Sequence, residues 1–168
     1  MTDSHPGALG GVITVLGVGN PIMGDDGVGI ELLRAVNQAC ADPRVEFVDG
    51  GISGMELLGT VQDAAKLLIL DAVSGSTPGT VVELAGDQIT RLVSSKLSPH
   101  QVGLLDVFGA ARLTGQEPAD VCVVGIVPES VDLGVGLSVV VASSLPEATT
   151  RATEVIGRWL NEIDGAQQ

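Results

Sequence analysis

Apolar residues change their spacing several times along the 168-residue chain, and the changes mark out strands alternating with helices. Gly11-Val-Ile-Thr-Val-Leu-Gly17 is a short apolar run that ends in glycines, which predicts a strand and a loop. From Gly27 the apolar positions Val28, Leu32, Leu33 and Val36 recur at helical intervals. Val45 to Val48 predicts a second strand, Asp49-Gly-Gly51 a turn, and Ser53 to about Thr60 a short helix. Leu67-Leu-Ile-Leu70 is apolar throughout, as a central parallel strand should be, and delivers Asp71 at its end. A turn follows from Ser74 to Gly79. Thr80 to Leu84 alternates and suits an edge strand, and a polar loop then runs to Ser98-Pro99-His100, where a helix begins that lasts through Leu113. Val121 to Val127 is another buried strand. Ser144-Leu-Pro-Glu147 has the form of a capping box with Pro in the first turn, followed by a stripe of Leu145, Ala148, Ala152, Val155, Trp159 and Ile163. This βαβα order predicts an α/β fold: a twisted, mostly parallel sheet of about five strands between helices, in three layers. The expected boundaries are a flexible N-terminus over 1–10, one domain over 11–164 and a flexible C-terminus over 165–168.

Composition agrees with this picture. The chain holds 23 Gly and no Tyr, so its core must be built from Val, Leu, Ile and Ala, which suits parallel strands buried under helices. A formal net charge of −13 repels phosphate backbones and anionic lipid, so neither nucleic acid nor membrane is an expected partner. Met1 to Gly11 lacks the basic region and apolar run of a secretion signal, and no stretch approaches the roughly 20 apolar residues of a membrane span. A cytoplasmic monomer is the expectation. The two cysteines, Cys40 and Cys122, have no CxxC spacing and read as buried thiols in a reducing compartment.

Candidate chemistry concentrates in the loops after the apolar runs. Gly17-Val-Gly-Asn-Pro-Ile-Met-Gly-Asp-Asp-Gly27 invites a dinucleotide reading, since glycines follow a strand and Asp49 ends the next one. The detail argues against it. Ile22 stands where the third fingerprint glycine belongs, and Asp25 and Asp26 occupy the helix entrance that a pyrophosphate would need. One of this carboxylate pair is read as a helix cap; Asp25 is assigned that role, leaving Asp26 to face the crevice, and Asp25→Asn is expected to cost less activity than His100→Ala because Asn also caps. Asp71 sits where open α/β sheets bind ligands, beyond the carboxyl ends of the strands, although a turn residue is the plainer reading. His100 stands at a loop-to-helix junction. Should Asp26, Asp71 and His100 converge, two carboxylates and an imidazole would form an incomplete ligand set for a borderline divalent metal, with positions left for a partner's ligands.

At these residues the chain resembles the hydrogenase maturation endopeptidase family over nearly its whole length. The resemblance is carried by Gly17-Val-Gly-Asn-Pro21 with Asp25-Asp-Gly27, by Asp49-Gly-Gly-Ile-Ser-Gly-Met-Glu-Leu-Leu58, by Asp71-Ala72 and by Ser98-Pro-His-Gln101. Gly125-Ile-Val-Pro-Glu-Ser130 adds to it, and the Ser-Pro-His-Gln block is most like members serving uptake hydrogenases. The resemblance implies a peptidase, sometimes grouped with the aspartic type, that trims the C-terminus of a nickel-iron hydrogenase large-subunit precursor after nickel insertion. It implies that Asp26, Asp71 and His100 are the metal-contacting and catalytic residues, and draws attention to Asp49 as a possible further catalytic residue or a loop-holding one. Nickel would then arrive with the precursor rather than reside in the protein, although other divalent ions could occupy the same ligands. Many relatives carry Glu where this chain has Asp26, so the arm that reaches the metal is shorter here. A non-catalytic nickel checkpoint in which another factor cuts is the alternative.

Overall fold

The computed structural model describes residues 13–89 and 99–167, with Pro99 and His100 described as helical backbone only. The predicted flexible N-terminus, 1–10, lies outside the described residues.

Five strands form one sheet: β1 (Ile13–Val18), β2 (Val45–Gly51), β3 (Lys66–Ala72), β4 (Val81–Ala85) and β5 (Asp120–Ile126). Their spatial order is β2-β1-β3-β5-β4. All pairings are parallel except that of β4 with β5, so the sheet is mixed and β4 is an edge strand, as its alternating pattern suggests. Four α-helices accompany it among the described residues: α1 (Val28–Ala39), α2 (Leu58–Asp63), α3 (Pro99–Leu113) and α4 (Val139–Gly165). Short 3-10 turns over Gly24–Gly27 and Met55–Leu57 lead into α1 and α2.

The period-two alternation of the strands sorts their side chains onto two faces. Ile13, Val15, Leu68, Leu70, Val124 and Ile126 pack under α1 and α4, which contribute Leu32 and Val36, and Ala148, Ala152, Val155 and Trp159. Leu16, Val18, Leu67, Ile69 and Val123 pack on the opposite face under Val61 of α2 and Leu104, Val107 and Ala111 of α3. The three-layer α/β/α expectation is therefore met. Burial of each such aliphatic side chain stabilises by roughly 1.5–3 kcal/mol, so the fold rests on two dry layers and not on its surface ion pairs.

The start of α4 differs from the sequence reading. Its N-cap is Ser138, whose side chain accepts from the Val141 N–H at 3.4 Å, and Pro146 lies inside the helix. The Ser144 hydroxyl does not cap; it donates to the Gly79 carbonyl at 2.7 Å. The reading failed because Val139-Val-Val141 is β-branched and favours strands, while Ser144-Leu-Pro-Glu147 imitates a helix start.

Helix α1 enters the sheet at very close range. A Cβ on Gly29 would stand 2.1 Å from the Val18 carbonyl oxygen and 2.3 Å from that of Leu70. Both obstacles are strand backbone and cannot rotate away. Gly29→Ala is therefore expected to destabilise the protein by about 3 kcal/mol or more, measured by urea denaturation. An unchanged midpoint would show that α1 can lift from the strands without cost.

Candidate active site

The strand order reverses between β1 and β3, and at such a switch point an open α/β sheet leaves a crevice beyond the carboxyl ends of its strands. Two of the three predicted ligands are delivered there. The loop after β1 carries Asp26 in the turn Gly24–Gly27, which packs against β3, and β3 itself carries Asp71. Because Asp71 follows Ile69 by two, it falls on the α2/α3 face, toward the helix that begins at Pro99. His100 lies in the first turn of α3; its side chain is outside the described residues.

The glycines of the first loop serve close packing. Gly19 has φ +134°, and a Cβ there would stand 2.0 Å from the Asp26 carbonyl oxygen, so the loop must fold tightly onto the turn that bears Asp26. Once folded, the Asn20 N–H donates to Asp26 Oδ2 at 2.9 Å. The position a pyrophosphate would need is filled by the protein's own carboxylate and backbone. Asp26 is buried, at 9% exposure.

Asp25 is structural but is not the helix cap expected from its position, since neither the turn nor α1 has a side-chain cap bond. Its carboxylate reaches instead across to residues 129–138. Oδ1 accepts from the Ser138 N–H at 2.6 Å, and Oδ2 accepts from the Glu129 N–H at 2.9 Å, the Ser130 N–H at 3.1 Å and the Ser138 hydroxyl at 2.8 Å. Burial would raise the Asp25 pKa, but the bonds from Ser138, Ser130 and Glu129 outweigh it and hold the carboxyl below its ordinary value. A backbone bridge between Met23 and Gly134 joins the same two loops.

Asp71 is 4% exposed and accepts on both oxygens: Oδ1 from the Ala72 N–H at 2.8 Å, Oδ2 from Gln101 Nε2 at 3.0 Å. Gln101 Nε2 also donates to the Ala72 carbonyl at 3.0 Å. Gln101 ends the Ser98-Pro-His-Gln101 block, and no spacing rule links a helix residue to a strand 30 positions earlier. Beside this cluster lies a mainly apolar pocket, roughly 530 Å³ of empty space open to solvent, walled by Ile69, Val73, Leu84, Leu104 and Phe108. Apolar walls lower the local dielectric and strengthen attraction between a carboxylate and any cation that reaches it.

Asp49 is exposed, and its Oδ1 accepts from the Gly51 N–H at 3.0 Å, closing a turn at the end of β2. Gly51 in turn accepts from the Gly19 N–H at 2.8 Å, so this turn supports the loop that places Asp26. Cys122 is buried and its thiol is pushed up to about 11, mainly by desolvation, which removes it as a nucleophile; Cys40 is only half-buried, and neither cysteine is paired.

Fold and site together define an α/β protein with a carboxylate-bearing crevice at the carboxyl edge of its sheet and, among the described residues, no phosphate cradle. The chain belongs to the hydrogenase maturation protease family, whose model matches residues 13–155, and it is a peptidase. It is 40% identical over 139 residues to the hydrogenase 2 maturation protease of Escherichia coli K12, covering 81% of this chain and 85% of that one. It is 33% identical over 152 residues to the hydrogenase expression/formation protein HoxM of Cupriavidus necator, covering 88% and 75%. The solved hydrogenase maturating endopeptidase HybD from E. coli superposes with a TM-score of 0.82 at 36% identity, over 87% of this chain and 92% of that one.

Proposed function

We propose that this peptidase removes the C-terminal extension of a nickel-iron hydrogenase large-subunit precursor after nickel insertion, reading the bound nickel with Asp26, Asp71 and His100. The observation that carries the proposal is the delivery of the Asp26 turn and Asp71 to one switch-point crevice, with α3 starting alongside. Two carboxylates and an imidazole suit a borderline divalent ion, and three ligands leave positions for those of the precursor. Nickel is thus part of the substrate. Docked through the metal, the precursor tail is held in one pose; a water molecule then adds to the scissile carbonyl carbon, the C–N bond breaks and the leaving amine takes up a proton.

A protein partner also suits the rim of the crevice. Leu133, Val135 and Val139 are 80%, 88% and 87% exposed and lie on or just beyond the loop that Asp25 clamps. Exposed apolar side chains gathered at one edge mark a contact surface. No helix among the described residues is long and apolar enough to cross a membrane. We take the protein to act as a cytoplasmic monomer, where its precursor is assembled.

The test uses purified protein and precursor, with and without nickel, read by intact mass. Loss of the C-terminal segment only from nickel-loaded precursor is expected. His100→Ala should remove most of this cleavage while circular dichroism stays unchanged, because a ligand held ready for the precursor's metal serves the reaction and not the fold. Normal cleavage by the folded variant would overturn the ligand assignment, and equal cleavage of nickel-free precursor would overturn metal reading altogether.

A further inference from the structure

We infer that Gln101 is a positioning residue for the reaction, fixing the carboxylate of Asp71 for the incoming metal; this rests on Asp71 being a nickel contact. Among the described residues two donors hold that carboxylate, the Ala72 N–H on Oδ1 at 2.8 Å and Gln101 Nε2 on Oδ2 at 3.0 Å. The first comes with the strand and fixes one oxygen only. The second holds the other oxygen and so restrains rotation about the Cβ–Cγ bond.

The amide cannot exchange its ends, because Nε2 serves two acceptors, Asp71 Oδ2 and the Ala72 carbonyl at 3.0 Å. A flipped amide would press Oε1 against both oxygens. Gln101 therefore clips the first turn of α3 to the last two residues of β3, and brings the position next to it, His100, to the same strand end. The residue type matters as much as the place. A lysine or arginine would orient Asp71 equally well but would cancel the charge that attracts nickel, whereas a neutral amide orients it and leaves the charge intact. Partners that hold a metal ligand from behind in this way typically contribute about 10–100-fold in metal affinity or activity.

The experiment compares Gln101→Met and Gln101→Glu with the parent protein. Methionine keeps the bulk of a half-buried side chain without its donors. Glutamate keeps the shape and suits a helix N-terminus, so α3 should still form, but it sets a carboxylate oxygen against Asp71 Oδ2. Dissociation constants are measured for nickel-loaded and nickel-free precursor, together with kcat and KM for cleavage. Both variants are expected to weaken binding of loaded precursor by about 10–100-fold, with binding of nickel-free precursor unchanged and the melting temperature lowered by only a few degrees, as for Asp71→Asn. A merely structural glutamine would weaken both forms together, and that result overturns the inference. So does loaded-precursor binding within about twofold of the parent. Asp71→Asn, run alongside, separates the two layers: if it loses nickel discrimination while the Gln101 variants keep it, the inference alone falls, and if it keeps discrimination, the nickel reading falls and takes the inference with it.

Discussion

Asp71→Asn is expected to lower cleavage of nickel-loaded precursor by at least about a hundredfold, since replacing a ligand should exceed the 10–100-fold typical of a residue that only supports one. The substitution removes the charge of a carboxylate that is 4% exposed at the end of β3. It also disturbs the hydrogen bonds. With the amide oxygen kept on the Ala72 N–H, the new NH₂ group faces Gln101 Nε2, donor against donor. Turning Gln101 over would relieve that contact and create a repulsion between its oxygen and the Ala72 carbonyl. The stability loss should be modest, about 1–2 kcal/mol, because the neighbouring strand and helix pack through Ile69 and Leu104 and not through this polar cluster. Cleavage and urea denaturation measured on the same preparation distinguish the effects. A folded Asp71→Asn variant that cuts at a near-normal rate removes Asp71 from the reaction.

The contrast between α1 and α4 shows what the sequence makes legible. Strands β1, β3 and β5 are short runs of Val, Leu and Ile, and their burial on both faces follows directly from their lack of alternation. Helix α1 is equally plain, since its buried positions Val28, Leu32, Leu33 and Val36 keep one face. Helix α4 is plain in its second half, where Ala148, Ala152, Val155 and Trp159 are buried, and misleading in its first. There a valine run stands in helix, and the cap is Ser138, a residue whose own N–H and hydroxyl are taken by Asp25. Tertiary bonds override local preference at that point.

The site divides the same way. Asp71 announces itself by ending an apolar run, and its place at the switch point follows once the strand order is known. Asp26 could be separated from Asp25 only as the one of two neighbours left for the crevice. What Asp25 holds is 104 to 113 positions away, and what steadies Asp71 is 30 positions away on another element. Hydrogen bonds over such separations leave no periodic trace. The glycines illustrate a subtler limit: their spacing after β1 imitates a nucleotide loop, yet Gly19 and Gly29 are required by the approach of the Asp26 carbonyl and of two strand carbonyls.

Asp25→Asn, which a capping role would make milder than loss of a metal ligand, is expected to be among the more damaging single changes to stability outside the apolar core. The Asp25 carboxylate collects four donors: the N–H groups of Glu129, Ser130 and Ser138 and the Ser138 hydroxyl. An amide offers one oxygen where these need two. If its NH₂ group takes the Oδ2 place, it opposes the N–H groups of Glu129 and Ser130; in the Oδ1 place it opposes that of Ser138. Each buried donor left without an acceptor costs about 1–3 kcal/mol, so a loss of roughly 2–4 kcal/mol is expected at pH 7, lowering the melting temperature by about 5–15 °C. The pH dependence gives an independent check. The folded-state pKa of Asp25 lies below its ordinary value of 3.8, so its contribution is fully present above that value and is lost as pH falls through the lowered one. The gap in stability between parent and variant should therefore be constant from pH 7 down to about 5 and should narrow below about 4. Urea denaturation of both proteins across that range measures it. A gap that stays constant down to pH 3 would mean that the ionised carboxylate is not what ties the Asp26 turn to residues 129–138, and that the two loops are held by the Met23–Gly134 bridge instead.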